Sequence, residues 1–182
     1  MLTIGYIGNG KSANRYHIPY VLTRDNMKIK TIYDLRVSHD VWKEVEGVNY
    51  TENIDDLLND SEIDLIVICT TPKTHYELAK KVLNAGKNVM VEKPFMPTYE
   101  QAKEIFDLAK SKNLFVQTYQ NRRYDSDFLT VQKVIESGKL GEVFEIVLTF
   151  DYWRPEVPLN STRVPYYDTL YYGHVVHTMD QI

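Results

Sequence analysis

Short apolar runs separated by stretches of helical periodicity recur through the first 120 residues, and this alternation restricts the fold more than any other feature of the chain. The runs are Leu2 to Ile7, Ile29 to Tyr33, Ile63 to Thr70, Asn88 to Val91 and Leu114 to Thr118. They are nearly continuous rather than alternating, as strands are when helices cover both faces of a parallel sheet. Between them, Thr74 with Glu77 and Thr98 with Gln101 each make a capping-box pattern, which predicts helix starts after the third and fourth runs. Gly86 is a suitable stop for the first helix. Ala102, Ile105, Phe106 and Ala109 form an apolar stripe on the second. Pro19 interrupts the helix expected after the first run, which should split or kink near His17.

The pattern changes after residue 120. A helix is expected from about Asp125 to Ser137, followed by "VFEIVLTFDYW", in which Phe144, Ile146, Leu148, Phe150 and Tyr152 alternate with wetter residues. The spacing predicts a strand over 143–153 and a second, α+β domain that begins at residue 121 and runs to 182. Residues 154–172 are rich in Pro and Tyr with little periodicity, and the chain ends just after a helix has begun, so it is expected to be a piece of a longer protein.

A formal charge of −4 with scattered lysines offers no basic face for a phosphate backbone, which disfavours nucleic acid as a partner. The longest wholly apolar run, Leu65 to Cys69, is far short of the roughly 20 residues a membrane-spanning helix needs. The first ten residues lack a charged leader segment, so a cytoplasmic location is expected. The single cysteine, Cys69, cannot form an internal disulfide, and no base or metal partner adjoins it in sequence, so it reads as a small buried hydrophobe.

The first run leads into "GNGKSA", a G-x-G-x-x-A pattern from Gly8 to Ala13, with Asp34 about 20 residues on at the end of the second run. This is the dinucleotide-binding arrangement of a Rossmann-type, doubly wound parallel α/β sheet, here spanning 1–120. Gly8 permits the tight turn, Gly10 the approach of a pyrophosphate, and Ala13 close packing of helix on sheet. Lys11 and Ser12 complete the loop, whose free N–H groups would hold the phosphates. Asp34 would accept hydrogen bonds from the adenosine ribose and repel a 2'-phosphate, so NAD(H) is expected ahead of NADP(H). Arg36 argues the other way, as a partner for that phosphate.

Two further segments lie at carboxyl ends of predicted strands, the edge that faces the ligand crevice in an open parallel sheet. In "CTTPKTHYE", Thr70, Thr71, Pro72 and His75 are candidates to line the cofactor site, although His75 could equally be a solvated helix residue. In "VEKP", Glu92 and Lys93 follow the strand Asn88 to Val91 and are pinned by Pro94, with a cis Lys93–Pro94 bond expected. A lysine beside an oxidised nicotinamide would have its pKa lowered and could move a proton to or from a substrate hydroxyl. A solvated lysine paired with Glu92 is the alternative.

The segments "GYIGNGKSANRYHIP", "TTPKTHYELAKKVLNAGKNVMVEKP", "YQNRRYDSDF" and "IESGKLGEVFEI" resemble, in order and over essentially the whole chain, the Gfo/Idh/MocA oxidoreductases. The resemblance implies hydride transfer between a nicotinamide cofactor and a secondary alcohol or ketone of a sugar, cyclitol or related polyol. It implies Lys93 as the catalytic lysine, with Asn121 and Arg122 leading from the nucleotide domain towards the substrate. It also implies a homo-oligomer for the full-length protein.

That family's third motif supplies an aspartate and, four residues on, a histidine. Here "YGHVVHTMDQ" puts His177 in the histidine's place but Gly173 in the aspartate's. By the resemblance His177 faces the substrate hydroxyl, and His174 or Asp180 takes over part of the missing carboxylate's role. The tyrosines of residues 166–172, Tyr172 among them, are candidates to line the substrate pocket by stacking on sugar faces or, equally, to be core aromatics. Read without the family, His174, His177 and Asp180 are possible metal ligands, but no fourth ligand accompanies them and their spacing drifts around a helix; no metal is expected. The altered motif also leaves open a non-catalytic, dinucleotide-sensing protein of the same fold.

Overall fold

The computed structural model describes residues 1–35, 41–149, 151 and 170–182. Six parallel strands form one sheet: β1 (Leu2–Ile7), β2 (Met27–Tyr33), β3 (Asn49–Thr51), β4 (Leu65–Ile68), β5 (Asn88–Val91) and β6 (Val116–Thr118), in the order β3-β2-β1-β4-β5-β6. The chain winds outward from β1 in one direction and, after returning to β4, in the other. That reversal puts a topological switch point between β1 and β4, where a crevice opens at the carboxyl ends of the strands.

Strand geometry explains the two-faced core. Successive side chains point to opposite faces, so β1 sends Ile7 to one side and Ile4 and Tyr6 to the other, while β4 sends Ile66 and Ile68 one way and Leu65 and Val67 the other. The Ile7 side is covered by α2 (Asp55–Leu58), α3 (Pro72–Asn84) and α4 (Tyr99–Ser111) through Leu57, Val82, Leu83 and Ile105, all fully buried. The Tyr6 side is covered by helical turns at residues 11–21, which contribute Ala13 and Ile18. Because both faces are dry, neither can carry alternating polar residues, which is why the strands read as continuous apolar runs.

Local signals held with instructive exceptions. At α4 the Thr98 hydroxyl accepts from the Gln101 N–H, as the capping box requires. At α3 it does not: the helix starts at Pro72, two residues before Thr74, and the Thr74 hydroxyl donates back to the Thr71 carbonyl. Proline at the first helical position, with its missing N–H and preset φ, outcompetes the later cap. The helix after β1 is split where expected. Ala13–His17 form a π-helical turn closed by the Ile18 N–H on the Ala13 carbonyl, and α1 (Ile18–Val21) then resumes. Pro19 has no N–H for the preceding turn and its ring crowds that turn's carbonyl, so the ladder changes step.

The chain divides into two compact units, Met1–Tyr119 and Gln120–Ile182. The second contains a 3-10 turn (Asn121–Tyr124), α5 (Ser126–Glu136) and α6 (Leu170–Asp180). Residues 143–149 do not form the predicted strand: Phe144 is 95% exposed, and the segment joins no ladder among the described residues. An alternating pattern supplies a face to bury but not the neighbouring backbone whose N–H and C=O groups make a strand. Phe150, Tyr152 and Trp153 of that prediction, and residues 154–169, lie outside the described residues.

Ile66 is fully buried at the centre of the sheet. Ile66→Ala is expected to lower stability by about 2–5 kcal/mol, read from urea unfolding followed by circular dichroism; a loss well below that range would mean the sheet is not packed on both faces.

Candidate active site

A cleft of ≈ 840 Å³ lies over the switch point, walled by Gly8, Gly10, Tyr33, Asp34, Thr70, Thr71 and the first turns of α3. Its floor depends on Gly8, at φ +102°, where a Cβ would stand 2.8 Å from the Cys69 carbonyl oxygen. Only glycine allows β1 to turn this close against β4. The Gly8 N–H donates to the Tyr33 carbonyl at 2.7 Å, which fixes the end of β1 to the end of β2. Gly10 is different: a Cβ there would meet nothing within 4 Å, so its backbone faces open cleft with room for a bulky ligand.

The loop is held from two sides. The Asn9 N–H donates to Asp34 Oδ2 at 2.7 Å, so the acid at the tip of β2 also braces the glycine loop. The Asn14 amide donates to the Asn9 side chain and to the Asn9 and Gly10 carbonyls, at 2.9–3.1 Å. Asn14 escaped the sequence reading because nothing in its spacing marks it. A glycine turn followed by an amide side chain four residues on was the only available signal.

Lys11 is exposed beside the loop, whereas Ser12 turns inward. Its hydroxyl donates to Glu92 Oε1 at 2.7 Å, so this oxygen-bearing side chain is committed to a carboxylate rather than to the cleft. Glu92, 4% exposed, also accepts from His17 Nε2 at 2.8 Å and, through Oε2, from the Lys93 N–H at 3.0 Å. Burial pushes the Glu92 carboxyl up, but the His17 hydrogen bond and charge, with Ser12 and the Lys93 N–H, outweigh it and hold the pKa below the ordinary 4.5.

His17 is packed in turn: its ring stacks on Tyr119 at 3.9 Å between centroids and meets Tyr6 edge-on. Burial and the nearby Glu92 charge push the Tyr119 phenol up to about 12, and it donates to the Tyr16 carbonyl at 2.6 Å. Donor atoms of His17, Cys69 and Glu92 lie within 4.8 Å of one another. Burial pushes the Cys69 thiol well up, with Glu92 adding to the shift, so it stays protonated. Cys69 is buried as the sequence suggested, but the expectation that no base adjoins it fails, since His17 and Glu92 stand beside it.

Lys93 is half-buried two residues beyond the end of β5, and β5 pairs with β4 through Ile68 and Val91. It therefore leaves the same edge of the sheet as Thr70 and Thr71. The Lys93–Pro94 bond is cis, as expected. His75 does not line the cleft. It is fully buried, with Nδ1 2.9 Å from the Pro94 carbonyl and Nε2 3.1 Å from that of Thr70. Burial lowers its pKa despite these contacts, and a neutral ring has one N–H, so it donates to the carbonyl on one side only. Pro72, at the first position of α3, starts that helix and is not among the cleft-wall residues.

In the second unit Arg122 donates to Asp125 at 3.0 Å, and Asn121 opens the 3-10 turn. Gly173, His174 and His177 lie on α6, and His177 is buried. Tyr172 is on the same helix. Both Asp180 oxygens accept from the Arg123 guanidinium, at 2.6 and 2.8 Å. Arg36 lies outside the described residues.

The profile of an oxidoreductase family with an NAD-binding Rossmann fold matches residues 2–120. The chain belongs to the Gfo/Idh/MocA oxidoreductases. An uncharacterised oxidoreductase of Escherichia coli, YhhX, is 49% identical to it, covering all of this chain and 53% of that protein. The crystal structure of YhhX, described as a probable oxidoreductase, superimposes with a TM-score of 0.92 at 48% identity, over all of this chain and 53% of that one. The scyllo-inositol 2-dehydrogenase (NADP(+)) IolW of Bacillus subtilis is 30% identical, over 86% of this chain and 45% of that protein. The chain thus spans about half the length of the curated relatives it matches. No helix among the described residues is long and apolar enough to cross a membrane.

Glu92 has a folded pKa below its unfolded value, so its contribution to stability is present above pH 4.5 and disappears as the pH falls through the folded value. Thermal unfolding followed from neutral pH into acid is expected to fall more steeply below 4.5 for the native chain than for Glu92→Gln. Parallel curves would mean that the carboxylate is not held as described.

Proposed function

We propose that this chain carries the cofactor-binding half of an oxidoreductase that moves a hydride between NAD(H) and a secondary alcohol or ketone of a sugar, cyclitol or related polyol. The observation that carries the reading is the convergence, on one edge of the sheet, of the Gly8–Gly10 cradle, Asp34 and Lys93. A bound nicotinamide would supply the hydride carrier. The residues fit it: the open backbone at Gly10 accommodates a pyrophosphate, N–H groups at the start of the helical turns hold its charge, and the Asp34 carboxylate at the cleft rim accepts from ribose hydroxyls.

Asp34 is the ground for NAD over NADP. A carboxylate there would face a 2'-phosphate with like charge at the end of β2. The name of IolW carries NADP(+), which makes this preference the finer part of the proposal.

Lys93 is assigned to hold, donate or accept the proton at the substrate hydroxyl, on a turn fixed by Pro94 and by the Glu92 contact to its N–H. His177, buried on α6, is assigned as its partner by its place in the family's third motif. Arg122 and His174 are assigned to the substrate side and Asn121 to the cofactor side by the family pattern, and Tyr172 to the substrate side as a ring suited to stacking on a sugar face. The substrate is then a small polyol and the full-length protein a homo-oligomer. Gly173, where the family places an aspartate, favours a second reading: a dinucleotide sensor without turnover.

Calorimetric titration of the chain with NADH and NADPH separates these expectations. NADH is expected to bind more tightly than NADPH, and Asp34→Ala to weaken NADH by about tenfold, the loss of a hydrogen bond to a charged group. Equal affinities would remove Asp34 from the assignment. In the full-length enzyme, assayed on a panel of polyols, Lys93→Met is expected to abolish turnover and spare NADH affinity. NADH binding without turnover by the native enzyme on any polyol would favour the sensor.

A further inference from the structure

The π-helical turn after the glycine loop brings a buried histidine onto the carboxylate next to Lys93. We propose that His17 is a positioning residue for Lys93, acting through Glu92, and that the same carboxylate ties the phosphate loop to the turn that carries the lysine. The proposal rests on the reading of Lys93 as the proton-handling residue.

The connections are short and complete. Glu92 Oε1 accepts from Ser12 Oγ at 2.7 Å and from His17 Nε2 at 2.8 Å, and Oε2 accepts from the Lys93 N–H at 3.0 Å. Ser12 belongs to the "GNGKSA" loop, His17 ends the π-helical turn, and Lys93 opens the cis turn. One buried carboxylate therefore joins three segments, in addition to the contacts each makes elsewhere. A buried carboxylate without its full set of partners is costly, so the segments move together or not at all.

Register explains why the extra residue per turn matters. In a π-turn the Ile18 N–H reaches the Ala13 carbonyl, five residues back. His17 is the last residue inside that step and the N-cap of α1, with non-helical backbone angles (φ −121°, ψ −65°). Tyr119 and Tyr6 then clamp its ring, so the donor at Nε2 has one orientation. Among these hydrogen bonds, the one route from His17 to Lys93 passes through Glu92.

The test reads the Lys93 turn directly and without cofactor, so that it stays separate from the NADH titration that tests the nucleotide site. In the isotope-labelled chain, amide exchange of the Lys93 N–H, donated to Glu92, is compared with that of the Tyr119 N–H, donated to the Val91 carbonyl at 2.8 Å in the neighbouring ladder. His17→Phe keeps the ring stack but removes the donor. It is expected to speed Lys93 exchange by about tenfold, the loss expected for a weakened hydrogen bond to a charged group, and to leave Tyr119 unchanged. His17→Gln, whose amide nitrogen can stand where Nε2 stands, is expected to restore protection. Ser12→Ala removes the other donor to Oε1 without opening the core and is expected to act in the same direction, which keeps the proposal open to refutation if His17→Phe does not fold. Unchanged Lys93 exchange in a folded His17→Phe or Ser12→Ala chain, or equal acceleration at Lys93 and Tyr119, would overturn the proposal.

Discussion

A carboxylate 4% exposed to solvent must be surrounded by donors, and at Glu92 that requirement organises the whole cofactor edge of the sheet. Ser12, His17 and the Lys93 N–H are the donors; the first two come from the connection between β1 and β2 and the third from the turn after β5. Satisfying one buried acid therefore fixes the glycine loop, the helical turn behind it and the turn after β5 in one arrangement. The depressed pKa of Glu92 is the electrostatic signature of that arrangement, since hydrogen bonds to the charged form outweigh burial.

His75 does similar work with neutral groups. Its ring lies between the Thr70 carbonyl, at the end of β4, and the Pro94 carbonyl, just past Lys93. Glu92 holds the Glu92–Pro94 turn through the Lys93 N–H, and the buried His75 ring packs between the Thr70 and Pro94 carbonyls, donating to one of them. Site precision of this kind comes from packed neighbours that leave a side chain no alternative rotamer. The cleft itself is lined by glycine backbone, Asp34 and the threonines beyond β4 together with the apolar side chains of Ile7, Leu35 and Leu78.

Much of this was legible beforehand, for identifiable reasons. Strands β1 and β5 were read with their observed ends because both are bounded by glycine or charged turns. Gly8, Gly10 and Asp34 could be placed together because the motif is itself a statement about backbone approach. Strand β3 and helix α2 were missed: Asn49–Thr51 and Asp55–Leu58 are too short to show a period, and only the edge of β2 and the buried Leu57 make them elements. The strand expected over 143–153 failed for the opposite reason, a clear period with no ladder at 143–149.

The sequence by itself determined a two-sided parallel sheet, the glycine turn at its switch point, the break at Pro19 and the family, because each depends on residues close together in the chain or on their period. Only the tertiary structure decided that Ser12 faces Glu92 instead of the cleft, that His17 reaches the same carboxylate across 75 positions, and that His75 is a buried tie rather than a wall of the site. Those contacts join residues far apart in sequence, and which partner a polar side chain takes is set by what surrounds it once water is excluded, a condition that exists only in the folded chain.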